Sequence, residues 1–417
     1  MSPPRGEPES SYAYLRLAAA LAIMTIGGVG MYGMAVALPL VQADFGVDRG
    51  AASLPYTFTM IGFGLGGILM GRLSDRFGII VPTLIGGACL GLGFVAAGSA
   101  SHLWQFVLAH GLLIGFLGCS ATFSPLIADI SLWFNRHRGM AIAVVASGNY
   151  LAGTVWPPVL QYFFERHGWR ATYMGTGIFC FAAIAALALL LRPRPPLLDA
   201  SPAARSRFAV ADMERPLGLS PAVLMVLLGI AGVSCCVAMS MPQVHIVAYC
   251  TDLGYGAARG AEMLSLMLGF GIVSRLVSGW ISDRIGGLRT LLLGATLQGI
   301  ALIAFLPFNG LVPLYVVSAM FGLFQGGIVP SYALIVREHF RPQEAGTRVS
   351  IVITATLFGM ALGGWMSGAI FDLTGSYRAA FLNGIAWNAL NVSIAAWLLS
   401  RSAGPLLLFT RQRALLP

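Results

Sequence analysis

Twelve apolar stretches of about 20 residues, divided by short polar breaks, run the length of the chain and leave few folds open to it. Inside a bilayer no water is present to take up a free N–H or C=O, so a spanning segment satisfies its backbone internally, and at this length that means helix. The stretches lie at 16–41, 52–73, 79–99, 104–129, 139–162, 171–191, 221–249, 261–281, 288–308, 312–336, 347–371 and 379–400. They predict an all-α integral membrane protein with twelve transmembrane helices. Of the 417 residues 57% are hydrophobic and 10% charged, and the longest polar segment, about 28 residues, has no room for a soluble catalytic domain. No Walker loop, Rossmann fingerprint, nucleophile motif or metal-ligand spacing occurs in the polar segments, so no enzyme activity, metal or cofactor is expected. A cleavable leader is not expected either, because the first ~13 residues are polar and the apolar span after them is too long for one. The six cysteines sit in or at the end of apolar spans without a Cys-x-x-Cys pair and read as small core residues.

A net charge of +9 raises the question of a nucleic acid partner, and the placement of the charges answers it. Every basic residue is Arg. With both termini inside, nineteen of the 25 fall on the cytoplasmic side, including Arg72, Arg76, Arg136, Arg138 and the cluster from Arg192 to Arg215. Five (Arg49, Arg166, Arg170, Arg259 and Arg378) fall outside, and Arg275 alone falls well within a span. This is the positive-inside asymmetry, which accounts for the basic balance through orientation in a plasma membrane. All-Arg usage with short loops fits a bacterial inner membrane.

The chain also repeats itself. Gly71-Arg-Leu-Ser-Asp75-Arg76-Phe-Gly78 recurs 208 residues later as Gly279-Trp-Ile-Ser-Asp283-Arg284-Ile-Gly286, and Trp169-Arg170 recurs as Tyr377-Arg378 at the same offset. The expected organisation is a tail over 1–15, a six-helix bundle over 16–191, a cytoplasmic segment over 192–220, a second six-helix bundle over 221–400 and a tail over 401–417. In each half the Gly-x-x-x-Asp-Arg-x-Gly turn joins the second and third helices on the inner face. There its charges are expected to latch a conformation and not to touch substrate. With these two copies the chain resembles the major facilitator superfamily, which implies two bundles rocking about a midplane site.

What the duplication left unlike marks candidate chemistry. Arg275 corresponds to Gly67 in the first half and His245 to Ala37, so the scaffold requires neither. Arg275 lies eight residues before Asp283, about 12 Å along a helix. Two readings are open for it, a snorkelling cation or a guanidinium that lines the central cavity and pairs with a substrate carboxylate. His245, after Pro242, is either a packed hydrogen-bonding residue or a group that binds substrate or a proton.

A narrower resemblance rests on Trp133-Phe-Asn-Arg136-His-Arg138-Gly139, on Val244-His245 followed by Asp252-x-Gly254, on Arg275-x-x-x-Gly279, and on Phe371-Asp372-x-x-Gly375-Ser-Tyr377. Together these look like the monocarboxylate transporter and oxalate/formate antiporter group. That implies transport of a lactate- or pyruvate-like acid with Arg275 holding the carboxylate. Animal members carry an acid one turn before that arginine, where this chain has Gly271, and a lysine in the first helix. Oxalate exchangers add a second buried lysine in the eleventh helix, which here reads Ile351-Val-Ile-Thr-Ala-Thr. One fixed cation suits one carboxylate. The expected function is therefore a monomeric, proton-coupled carrier of a small monocarboxylate, with His245 as the proton-coupling candidate. The alternatives are an anion exchanger, an exporter of hydrophobic compounds and, last, a receptor on a carrier fold. Further substrate-binding candidates are Tyr32, Phe123, Asn149 and Tyr332, with Tyr150 and Gln325 beside them. The gating candidates are Asp75, Arg76, Asp283, Arg284, Arg136 and Arg138.

Overall fold

Each membrane helix must end where its last polar groups can be satisfied, and the caps set the spans. The computed structural model describes residues 9–134, 136–193 and 216–413. Twelve of its helices are long and apolar enough to cross a membrane: α1 Ser11–Phe45, α2 Arg49–Phe77, α3 Ile80–Gly98, α4 Leu103–Ile130, α5 Gly139–His167, α6 Trp169–Leu191, α7 Pro221–Asp252, α8 Ala257–Ile285, α9 Gly287–Ala304, α10 Leu311–His339, α11 Gly346–Thr374 and α12 Tyr377–Ser402. The basic cluster beyond Arg192, the outer parts of both predicted tails and the side chain of Arg138 lie outside the described residues. Side chains of Ser10, Asp48 and Ser220 accept the N–H of Ala13, Ala51 and Val223, capping α1, α2 and α7. Glycine closes other ends. Gly78 and Gly286 adopt φ of +80° and +82° and donate to the carbonyls of Ser74 and Ser282 at 2.8 and 2.9 Å, so both copies of the repeated motif finish in one turn geometry.

Several helices outrun the apolar stretches that predict them, whereas α3 and α9 fall short of theirs. α2 covers 49–77 where hydropathy marks 52–73, and the helix of α12 continues to Arg413. Hydropathy reports what sits in hydrocarbon, whereas a helix continues until a cap stops it. Four spans are interrupted: α1 breaks at Gly28, α5 at Ser147 and α10 at Gly326–Gly327, and α4 contains a π-helical segment, Ala109–Gly118, then a 3-10 turn at Cys119–Thr122. The irregular backbone is covered by α2, whose Gly66 lies so close that a Cβ there would fall 1.9 Å from the Phe116 carbonyl oxygen.

A buried ion pair, unforeseen in the sequence, fastens α1 to α4. Arg16 is fully buried, donates through Nε and Nη2 to the two carboxylate oxygens of Asp129 at 2.8 and 2.7 Å, and lies over the Trp133 ring. Its Nη1 donates to the carbonyls of Leu191 and Pro193, tying in the end of α6.

Helices α1–α6 pack into one bundle and α7–α12 into another, and the two meet through α2 against α11, α5 against α8 and α1 against α7. Among the described residues, hydrogen bonds between the bundles begin at Arg49 and extend no further than the bond from Arg275 to Ala146. None reaches the Asp75 and Asp283 turns, whose acids and arginines are all exposed. Among the described residues, hydrogen bonds join the bundles at the Arg49 end and none joins them at the opposite end.

Removing Asp129 alone strands a buried guanidinium. Asp129→Ala is expected to lower stability by about 3–5 kcal/mol, and the apolar pair Arg16→Met/Asp129→Leu to recover most of it. Thermal unfolding of the purified variants in detergent checks this, and a wild-type midpoint for Asp129→Ala would show that the pair contributes nothing.

Candidate substrate-binding site

Small residues let α5 and α8 cross closely. A Cβ at Gly153 would lie 2.1 Å from Leu268 Cδ1, and one at Gly271 would lie 2.5 Å from Tyr150 Cε1. Tyr150 thus occupies the space that a side chain at 271 needs. One turn on, the Arg275 guanidinium carbon sits 4.4 Å from the centre of the Tyr150 ring, and Nη1 donates across the bundle interface to the Ala146 carbonyl at 3.0 Å. Nε is buried without a partner. The ion pairs among the described residues all join other groups, so Arg275 has no carboxylate of its own. Its reach is into the opposite bundle and not along its own helix towards water, which disfavours the snorkelling alternative. Tyr32 approaches from α1, with Cε2 3.1 Å from where a Cβ on Gly153 would be.

The remaining candidates separate. Asn149 precedes Tyr150 on α5 and has a buried Oδ1 without a donor. Phe123 stands at the break in α4, its ring edge-on to Phe63 at 5.5 Å. Tyr332 is not with them. It is fully buried inside the second bundle, and its hydroxyl donates to Asn391 Oδ1 at 2.8 Å. Gln325 likewise bonds within that bundle, accepting from Gln243 Nε2 at 3.1 Å.

His245 belongs to a different assembly, at the Arg49 end. Its Nε2 donates to the Gly364 carbonyl at 2.8 Å, since a carbonyl only accepts, and its Nδ1 lies within hydrogen-bonding distance of the Tyr377 hydroxyl at 3.2 Å. Tyr377 in turn accepts from Arg49 Nη1 at 2.8 Å. Arg49 crosses from the first bundle to pair with Asp252 at the end of α7, while the backbone N–H groups of Arg49 and Gly50 donate to Asp372 at 2.9 and 2.6 Å. Its guanidinium also lies over the Phe371 ring at 4.3 Å. Two short sequence patterns, one holding His245 and Asp252 and the other Asp372 and Tyr377, therefore meet around one arginine that sequence alone places as an outer-side charge. Comparison of the halves could have found it, since the residue 208 positions after Arg49 is Ala257.

At the other end Asp75, Arg76, Asp283 and Arg284 form no ion pair among the described residues, and Arg76 and Arg284 lie over the rings of their own neighbours Phe77 and Trp280. The N–H groups of Arg136 and His137 donate to the Glu9 carboxylate at 2.8 Å, bringing the start of the chain to the loop after α4. The bond from His137, with that from Arg136 beside it, holds the Glu9 carboxyl below the usual carboxylate range, against the opposing effect of burial.

A profile of the Major Facilitator Superfamily matches residues 18–316 and 266–415. The chain belongs to the Major Facilitator Superfamily. Among superfamily structures, its fold is similar to a bacterial homologue of the human lysosomal transporter Spinster in an inward-facing, unoccupied conformation, with TM-score 0.68 and 16% identity over 95% of this chain and 96% of that one. It is also similar to the peptide transporter POT, solved with sulfate, with TM-score 0.72 and 13% identity over 94% of each chain. In sequence it is similar to monocarboxylate transporter 13 of Bos taurus, 28% identical over 74% of this chain and 71% of that protein. Monocarboxylate transporter 11 of Homo sapiens is 27% identical over 91% and 81%. The chain is thus a twelve-span membrane transporter of this superfamily.

A superfamily carrier alternates which end is closed. Arg49→Ala removes the side chain on which Asp252 and Tyr377 converge and is expected to shift the protein towards a state open at that end. Spin labels on the exposed positions Ala43 and Ser376 should then report a longer distance distribution than in the parent; an unchanged distribution would mean that apolar packing alone holds this end shut.

Proposed function

We propose that this protein is a secondary carrier of a small monocarboxylate, of the size of lactate or pyruvate, working by alternating access. The observation that carries the reading is Arg275, a guanidinium at the junction of the bundles with an unpartnered Nε and no acid beside it. A carboxylate accepts two parallel N–H···O bonds from such a fork and neutralises it in the same act. One cation matches one carboxylate. Tyr32, Tyr150 and Phe123 would receive the methyl or ring of the acid, and Asn149, with its Oδ1 free, would donate or accept beside them through its amide. Tyr332, bonded inside the second bundle, would support α10 from behind the site. The names of the similar monocarboxylate transporters favour the same substrate class.

The excess of arginine on the Asp75 and Asp283 face orients that face to the cytoplasm of a bacterial inner membrane, with both termini inside. The latched Arg49 end then faces outward, and the state described opens inward. When the carrier reverses, Asp75, Arg76, Asp283 and Arg284, with Arg136 and Arg138, would close the inner end while the Arg49 latch releases. Proton symport and anion exchange both fit such a cycle. His245 touches the latch through Tyr377, so a proton arriving there would act on the latch and not on a carboxylate held by Arg275.

Arg275→Ala is expected to lower uptake of labelled acid by about a hundredfold or more, the effect of losing one partner of a desolvated charge pair. Arg275→Lys keeps the charge but not the fork and should still lose about tenfold. Uptake into liposomes, with unfolding curves showing that the variants are folded, checks both. Wild-type uptake by Arg275→Ala would end the carboxylate reading.

A further inference from the structure

We infer that Tyr150 takes the place of a counter-ion for Arg275 and that the carrier consequently works as an exchanger, returning across the membrane only when loaded. The inference rests on the reading of Arg275 as the carboxylate site. To change the side it faces, the site must pass through a form closed at both ends, in which the guanidinium is cut off from water. A cation there without an anion is strongly disfavoured. A carrier that returns empty therefore needs an acid of its own to pair with the arginine, and a proton symporter can use the same acid to take up its proton.

This chain leaves no seat for one. The position one turn before Arg275 is Gly271, and a Cβ there would fall 2.5 and 2.6 Å from Tyr150 Cε1 and Cδ1, closer than any real contact. From the other side α10 packs through Gly326, where a Cβ would lie 2.3 Å from the Gly271 carbonyl oxygen and 3.1 Å from the Arg275 nitrogen. α5 presents the Tyr150 ring and the Ala146 carbonyl, and α1 presents Tyr32. Among the described residues the titratable groups that interact with the guanidinium are the phenols of Tyr32 and Tyr150, and a phenol keeps its proton near neutral pH. His245 has both ring nitrogens engaged by Gly364 and Tyr377. The face of the Tyr150 ring attracts and aims the guanidinium, but it supplies far less than a full negative charge and leaves Nε unsatisfied. Only an incoming anion completes the site. The loaded carrier closes readily, the empty one slowly, and each carboxylate that leaves is replaced by another before the next reversal.

The test uses the purified full-length protein in liposomes that are either empty or preloaded with unlabelled acid. Labelled lactate and, in parallel, labelled pyruvate are the probes, and rates are taken relative to Arg275→Ala vesicles. Preloaded vesicles should take up label at least about tenfold faster than empty ones, and acidifying the outside should not close the gap, tenfold being a modest barrier difference for closing over a bare cation. Equal rates, or a proton gradient that brings empty vesicles to the preloaded rate, would overturn exchange and leave the carboxylate reading standing. No Arg275-dependent uptake of either acid in either kind of vesicle would overturn the carboxylate reading and the exchange inference with it. The double variant Tyr150→Ala/Gly271→Asp puts an acid where the ring was and should narrow the ratio severalfold. An unchanged ratio in a double variant that still exchanges would remove Tyr150 from the account, and should that variant not fold, the comparison on the unmodified protein decides alone.

Discussion

A guanidinium inside a membrane protein must find compensation for lost water, and three arginines of this chain find it in three ways. Arg16 has a bidentate carboxylate, backbone carbonyls and an indole face, so it stays put and holds the first bundle together. Arg49 has its acids on the other bundle, so its compensation lasts only while the two bundles touch at that end. Arg275 has one carbonyl and one aromatic face and no acid at all. Pairing thus runs from complete within one bundle at Arg16, through pairing that spans the two bundles at Arg49, to incomplete at Arg275.

The Arg49 cluster and Arg275 sit on different contacts between the same two bundles. Arg49 closes α2 against α7 and α11, while Arg275 bridges α8 to α5 nearer the open end. Both are cross-bundle bonds, so a rigid rocking motion that lengthens one set changes the other. His245 is placed on the Arg49 side, with its ring between α11 and Tyr377.

Much of the fold was legible because a bilayer imposes a simple rule. Apolar stretches of one length became helices, and the 208-residue repeat reappears as paired turns at Gly78 and Gly286 and at Gly46 and Gly254. Arg275 was legible too, as an unmatched charge in a span, and so was the aromatic company of Tyr32 and Tyr150. Tyr332 and His245 looked equivalent to these on paper. A polar residue in an apolar helix announces that it has a partner but not which one, and the partners proved to be Asn391 and the latch. Arg16 and Arg49 went unnoticed for the converse reason: a charge near a helix end looks solvated until a neighbouring element covers it.

Hydropathy, the repeat and the arginine asymmetry belong to the linear chain, because each depends on local composition measured against a membrane of known thickness. They suffice for twelve spans, two related halves and one conspicuous cation. Which end is shut, which acid answers which arginine, and whether position 271 has room for a side chain depend on residues hundreds of positions apart arriving within a few ångströms of each other. Gly271 shows the difference most plainly. In the sequence it is a missing acid, and only the packing of α5 against α8 shows that Tyr150 already fills the place where that acid would have stood.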